Sequence, residues 1–295
     1  MIDGRIDMLT TGDDKLGAVL PRGASTTWRR PFRLLRHRRF LRGVQIAQFI
    51  LLMGGLIWLV YRGTEQMGYN WQWYRVPPYL FEMQDGRIAW GTLGLGLFKT
   101  LEISVYGLLL ATIVGLCIAL LRLSKSILGA YFARGYLELI RNTPLLVQVY
   151  VFYFIVAPVY DIDRFWAGVI CLALFEGAYA SEIFRSGILA VDHGQWDASH
   201  SLGLPRYYAY RLVILPQAVR AMLPPLTSVA VSLVKDSAIL SVIAISELTS
   251  AARDVISDTF MSFEIWFTAA ALYLALTMTL SLVATYLERR MRFHQ

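Results

Sequence analysis

Charge is scarce in this sequence. Only 17% of its 295 residues are Asp, Glu, Lys or Arg, against about 25% in an ordinary soluble domain. Thiols are scarcer still. Cys117 and Cys171 both sit in apolar blocks, which leaves no basis for a disulfide framework or a cysteine-rich metal site. There is no His-Glu-x-x-His and no Gly-x-Ser-x-Gly, the signatures of a zinc peptidase and of a serine hydrolase. His193 and His200 are seven residues apart. Two imidazoles on one helix face make a poor metal site, and surface histidines are the simpler reading. Gly91–Thr100 holds three glycines and a Lys-Thr pair, but Phe98 stands where a phosphate loop requires the glycine before lysine. Those glycines suit close packing of helices in a membrane instead. The expectation is a chain with no catalytic residue, no metal site and no cofactor of its own; if ATP powers it, another chain binds the nucleotide and its magnesium.

What is present in excess is apolar, 56% of residues, and it is gathered into blocks. Residues 1–27 are polar and read as a flexible tail. Trp28–Arg42 follows with Arg29, Arg30, Arg33, Arg36, Arg38, Arg39 and Arg42, and then Gly43–Tyr61 carries no charge. At 1.5 Å per residue such a run is about long enough for a hydrocarbon core of roughly 30 Å. A cleaved signal and a nucleic-acid-binding arm are alternatives. No small-x-small cleavage pattern follows the run, and its length favours an anchor held by arginines on the cytoplasmic face.

Five further blocks resemble spans: Ile103–Leu121, starting near Thr92; Asn142–Tyr160; Phe165–Ile188, with Glu176 and Glu182; Ala221–Ile245, with Lys235 and Asp236; and Ile265–Leu287. Within lipid a single segment satisfies its backbone only as a helix, so six helical spans are predicted. With the N-terminus inside, the cytoplasmic segments 28–42, 122–141, 182–220 and 288–295 hold 18 Lys and Arg, against 5 in the outer segments 62–90, 161–164 and 247–264. That asymmetry places both termini in the cytoplasm and accounts for the net charge of +7 without a nucleic-acid partner. The outer segment 62–90 is rich in aromatics, including Trp71, Trp73, Tyr74, Phe81 and Trp90. Such residues suit the headgroup belt or a docking face for an extracytoplasmic partner.

The polar stretch Ala178–Pro216 is the most informative. Gly194 and Gly203 bracket a short amphipathic piece containing Trp196 and Asp197, and Pro205 follows. The reading is a short helix across the cytoplasmic surface, tied to two spans. Asp197-Ala198-Ser199, Gly203 and Val213-Ile214-Leu215-Pro216 resemble the acidic-small-small, Gly, hydrophobic-x-Leu-Pro loop of ABC-importer permeases. Asp197 replaces the usual Glu, Ser199 the usual Ala, and Asp192 a common Pro. Arg141-Asn142-Thr143-Pro144-Leu145-Leu146-Val147-Gln148, Leu215-Pro216-Gln217-Ala218 and Val234-Lys235-Asp236-Ser237-Ala238-Ile239 are similar to the polar amino-acid branch of that family.

The resemblance implies an all-α integral membrane protein, one N-terminal anchor helix plus a five-helix type I importer core. It divides the chain into a basic tail (1–42), an anchor with an aromatic outer segment (43–91) and the transmembrane domain (92–292) with its coupling loop (190–216). It also implies ATPase subunits that receive Gly194, Trp196, Asp197, Ala198, Ser199, Gly203 and Pro216, a second permease subunit, an extracytoplasmic amino-acid-binding protein, and an inner-membrane location. Glutamate or aspartate is the favoured substrate, and alternating access the mechanism. The rival is a gradient-driven secondary transporter, which would need no coupling loop and would show inverted repeats.

Charges within apolar spans cost at least roughly 2.5–3.5 kcal/mol and so face cavities or partners. Glu176 is expected to border the path and sense an ammonium, or else to be a hydrogen-bonded packing residue. Lys235 and Asp236 are expected to form an ion pair at a helix break or to line the path, with Asn142 and Thr143 beside it. Pro224-Pro225 should kink or break the fifth span.

Overall fold

The computed structural model describes the backbone of residues 32–66, 68–84 and 87–292. The tail predicted for residues 1–27 and the first four residues of the arginine block, 28–31, lie outside the described residues. Two compact units result, divided between Asn70 and Trp71. The first holds one helix, α1 (Phe32–Gln66), of which Val44–Gly63 is long and apolar enough to cross a membrane.

The second unit opens with a 3-10 turn (Trp73–Arg75), the short α2 (Pro77–Leu80) and an antiparallel hairpin of β1 (Phe81–Gln84) and β2 (Arg87–Trp90). Then come α3 (Thr92–Leu123), α4 (Ile127–Arg141), α5 (Leu145–Val151) and α6 (Ala157–Val159), joined by a widened turn at Phe152–Val156. α7 (Arg164–Leu189) leads to α8 (His193–Ser201). α9 (Arg206–Tyr208) runs through a second widened turn into α10 (Leu215–Asp236), which ends in a 3-10 segment, Ser237–Ile243. α11 (Leu248–Thr259) and α12 (Ser262–Arg292) complete the unit.

Local chemistry sets several of these starts. Asp163 accepts from the Phe165 and Trp166 amides at 2.8 and 3.2 Å to cap α7. Ser126 accepts from the Gly129 amide at 3.1 Å to cap α4. Each satisfies amides that a helix's first turn cannot.

Five helices among the described residues are long and apolar enough to span: Val44–Gly63, α3, α7, Arg206–Ile243 and Ser262–Arg290. The predicted span Asn142–Tyr160 is not a straight helix. It belongs to a pair, Ile127–Arg141 and Leu145–Val159, bent by 107° at the Asn142–Pro144 break, and counts as a sixth span only if the pair is taken as one. The reason is in the break itself. Pro144 cannot continue α4 as a donor, and Gln148 turns back so that its side-chain amide donates to the Ile140 carbonyl at 2.8 Å and the Thr143 carbonyl at 3.0 Å. The carbonyls freed at the elbow are thereby satisfied inside the protein. Of the kink or break expected at Pro224 and Pro225, no break occurs: α10 continues through both.

α3 and α7 run side by side in parallel. Ile103 packs with Val169 and Leu172 at one end, and Ala119 with Ala180 and Phe184 toward the other. Lipid supplies no hydrophobic drive between helices, so close backbone approach carries the packing. Gly115 is where it is closest: a β-carbon there would lie 2.9 Å from that of Ala180 and 3.0 Å from the Gly177 carbonyl oxygen. α10 is antiparallel to both, with Met222 near Gly187 and Leu233 near Gly107. One end of the bundle therefore carries α8, and the opposite end carries the hairpin and α11.

Candidate functional site

α8 is built by its neighbours in sequence. Asp192, the departure from the common Pro, is its N-cap, accepting from the Gly194 amide at 2.6 Å. Gly203 closes the other end at φ +70, a left-handed conformation a β-carbon disfavours. Its amide donates to the His200 carbonyl at 2.9 Å, and the Leu204 amide to that of Ser199 at 3.1 Å.

The helix has two sides. Ser199 is buried, and Trp196 meets the Tyr210 ring edge-on at 4.9 Å and packs on the cluster that joins α3, α7 and α10. Asp197 and Ala198 are exposed. Gln217 donates to Gln195 at 3.1 Å, so α10 grips α8 one residue past the exposed Pro216. An acidic surface with small neighbours is thus presented outward on a helix that cannot move without Trp196 dragging α7 and α10.

Behind α8, three recesses adjoin. The first, about 440 Å³, is polar: Arg122, Arg134, Glu138, Arg141, Asn142, Tyr179 and Glu182 line it. Glu182 is its hub. It accepts from Arg122 and lies 3.6 Å from Arg141 and 3.5 Å from Arg185, joining α3, α4 and α7. The second, about 570 Å³, shares Tyr179 and Glu182 and adds Glu176, Pro225, Ser228, Ser232 and Asp236. Glu176 is 2% exposed, and its carboxyl group meets that of Asp236. The third, about 340 Å³, shares Ser228 and Ser232 and runs between α10 and α12 past Lys235 and Ser281.

Glu176 and Asp236 are therefore brought together, whereas Lys235 is turned into the next recess. Adjacent residues on a helix project about 100° apart, and among the described residues no ion pair joins Lys235 to Asp236. Asn142 donates to the Glu138 carboxylate at 2.7 Å at the rim of the first recess, and Thr143 donates to the Leu139 carbonyl at 2.8 Å within the elbow. The Glu182 hub and the serines of α10 were not singled out from sequence. Their partners are 60 residues away in the one case and across a helix pair in the other, and no local pattern encodes either.

A second buried carboxyl lies at the hairpin end. Glu247 caps α11, accepting from the Thr249 and Ser250 amides at 2.8 Å and from the Tyr273 hydroxyl at 2.7 Å. Burial nevertheless raises its pKa above the usual carboxylate range. Between the ordinary and the raised value, the folded chain holds a proton that the unfolded chain has lost. Its contribution to stability therefore falls as pH rises through that window. Thermal unfolding in detergent should show a native slope steeper by at most about 1.4 kcal/mol per pH unit than that of Glu247→Gln.

Membrane-crossing helices around adjoining recesses that hold charged and hydroxyl side chains, with a short capped helix held across one end, are the architecture of a transport permease. The chain belongs to the family of binding-protein-dependent transport system inner membrane components, whose family model matches residues 107–293. It is a multi-pass membrane protein. It is 38% identical over 214 residues to the glutamine transport system permease protein GlnP of Escherichia coli, covering 70% of this chain and 98% of that relative. To the putative GlnP of Rickettsia typhi it is 35% identical over 198 residues, 66% of this chain and 91% of the relative. Among solved structures, an amino acid ABC transporter with histidines matches with TM-score 0.63 and 39% identity over 68% of this chain and 94% of that one. The MetNI methionine transporter matches with TM-score 0.59 at 17% identity, over 68% and 96%, a likeness of fold.

Proposed function

We propose that this chain is the permease subunit of an ATP-driven, binding-protein-dependent importer of polar amino acids. The observation that carries the reading is α8, which presents Asp197 and Ala198 outward while Trp196 locks it to α7 and α10. A partner ATPase pressing on that face would displace the two helices that flank the Glu176 recess. α7 contributes Glu176 and α10 contributes Asp236, so relative motion of the two opens or closes the recess, as alternating access requires. ATP and its magnesium belong to the partner, and this chain does no covalent chemistry. A second permease subunit and an extracytoplasmic binding protein complete the assembly.

The 18-to-5 asymmetry of Lys and Arg supports an inner-membrane orientation with both termini, and α8, in the cytoplasm. Glutamate or aspartate, favoured by motif, is less well supported than an amino acid without a negative side chain. Three carboxyl-bearing side chains, Glu176, Glu182 and Asp236, line the recess, like charges repel there, and curated relatives transport glutamine.

The test is ATP hydrolysis in liposomes holding the chain, its ATPase and its binding protein, with each amino acid in turn. Stimulation by glutamine supports the reading, and stimulation by glutamate alone would restore the acidic substrate. Uptake driven by an ion gradient without ATP would favour the secondary transporter. In the same assay Glu176→Gln is expected to lower transport by about tenfold or more, the equivalent of roughly 1.4 kcal/mol. Unchanged transport would reduce Glu176 to a packing residue.

A further inference from the structure

The hairpin at the end opposite α8 has two chemically different faces. Its register pairs Phe81 with Trp90 and Met83 with Ile88, and pairs Glu82 with Ala89 between them. Successive residues of a strand point to opposite faces, so Phe81, Met83, Ile88 and Trp90 share one. Those four are 54%, 78%, 77% and 46% exposed. A two-stranded sheet this short is marginal in water by itself, and a face of four large uncovered apolar side chains makes it more so.

That face continues the exposed apolar surface of a helix long and apolar enough to cross a membrane. The Trp90 ring packs edge-on against Phe98 of α3 at 4.6 Å and, tilted, against Phe81 at 4.9 Å. Phe98 belongs to an exposed row, Leu95, Phe98, Val105, Leu109 and Ile113, that runs down a membrane-crossing helix. The level is marked by the next residue. Lys99 pairs with Glu102 at 2.8 Å and lies 4.3 Å over the Phe165 ring, the arrangement of an ammonium that reaches from apolar surface to polar surroundings. Just before the hairpin in sequence, Trp71 and Trp73 stack on each other at 6.0 Å. They lean on Phe263 and Phe267 at 5.8 and 6.5 Å, at the start of α12. Indole rings flanking an apolar span are the usual occupants of the headgroup level.

We propose that Trp71–Trp90 is an interfacial collar, whose hairpin lays the Phe81, Met83, Ile88 and Trp90 face into the headgroup and acyl boundary of the bilayer and turns Glu82 to water. The lipid surface, and not a soluble protein, is its partner. This requires only that the chain spans a membrane, so it stands or falls separately from the choice of substrate or ATPase.

Met83→Cys, Ile88→Cys and Glu82→Cys, each with Cys117→Ser, would carry an environment-sensitive fluorophore. The complex would sit in phosphatidylethanolamine and phosphatidylglycerol vesicles doped with acyl-brominated phosphatidylcholine. Labels at 83 and 88 should be quenched by the brominated lipid and shielded from iodide several-fold better than the label at 82, with no binding protein present. Thermal unfolding matching the native chain certifies the fold of each variant. Equal iodide quenching at all three positions overturns the proposal. Shielding at 83 and 88 that appears only when the binding protein is added also overturns it, and makes the face a protein-docking surface.

Discussion

Asp197→Arg combined with Gly203→Trp is expected to leave an assembled permease whose ATPase partner no longer responds to the loaded binding protein, with stimulated hydrolysis down about tenfold or more. Asp197 is exposed, so reversing its charge disturbs nothing inside the chain and acts only on whatever docks there. A pair of like charges brought together at an interface costs several kcal/mol. Gly203→Trp acts differently. It puts a β-carbon on a residue at φ +70, at a cost of about 1–2 kcal/mol, and loosens the turn by which α8 ends. Trp196 and the Gln195–Gln217 bond still hold α8 to α10, so α8 should stay in place with an altered outer face. The readouts are hydrolysis with and without loaded binding protein, and co-purification of the ATPase. A variant that couples as well as the native chain would move the coupling surface off α8.

Gly115→Ala and Gly135→Ala are the same chemical change and should have opposite signs. At Gly135, on the exposed side of α4, nothing lies within 4 Å of the new methyl group, and replacing a helical glycine recovers about 0.5–1 kcal/mol. At Gly115 the new methyl group would lie 2.9 Å from the Ala180 β-carbon, 3.0 Å from the Gly177 carbonyl oxygen and 3.1 Å from the Ser181 amide. Two of those are backbone atoms of α7 and cannot rotate away. α3 and α7 must separate, at a cost of roughly 1–3 kcal/mol. The separation also shifts Glu176 and Glu182, one residue before Gly177 and one after Ser181. Thermal unfolding in detergent should fall for Gly115→Ala and hold or rise for Gly135→Ala. Equal midpoints would mean that the α3–α7 contact is looser than the geometry shows.

Apolar length is a local property set by the bilayer, which is why α3, α7 and α12 were legible as spans. The place of α8 was legible for a similar reason: Gly194, Gly203 and Pro205 are themselves the signals that start and stop it. The elbow at Asn142–Pro144 was not. Its apolar content is that of a span, and the break depends on Gln148 reaching back to Ile140 and Thr143. At Pro224-Pro225 the helix does not break, because proline's local preference yields where packing such as that of Met222 and Leu233 holds a helix together.

By itself, then, the sequence determined the membrane class, most of the spans, the charge asymmetry across them and the motif that places the chain in its family, because hydropathy and turn chemistry act within a few residues. Only the tertiary structure decided that Glu176 meets Asp236, that Lys235 turns away from it, and that Glu182 gathers three arginines from separate positions on three helices. Glu176 and Asp236, and Glu182 with Arg122 and Arg141, lie tens of residues apart, and helix rotation and close glycine packing bring them together in a way that no local pattern specifies.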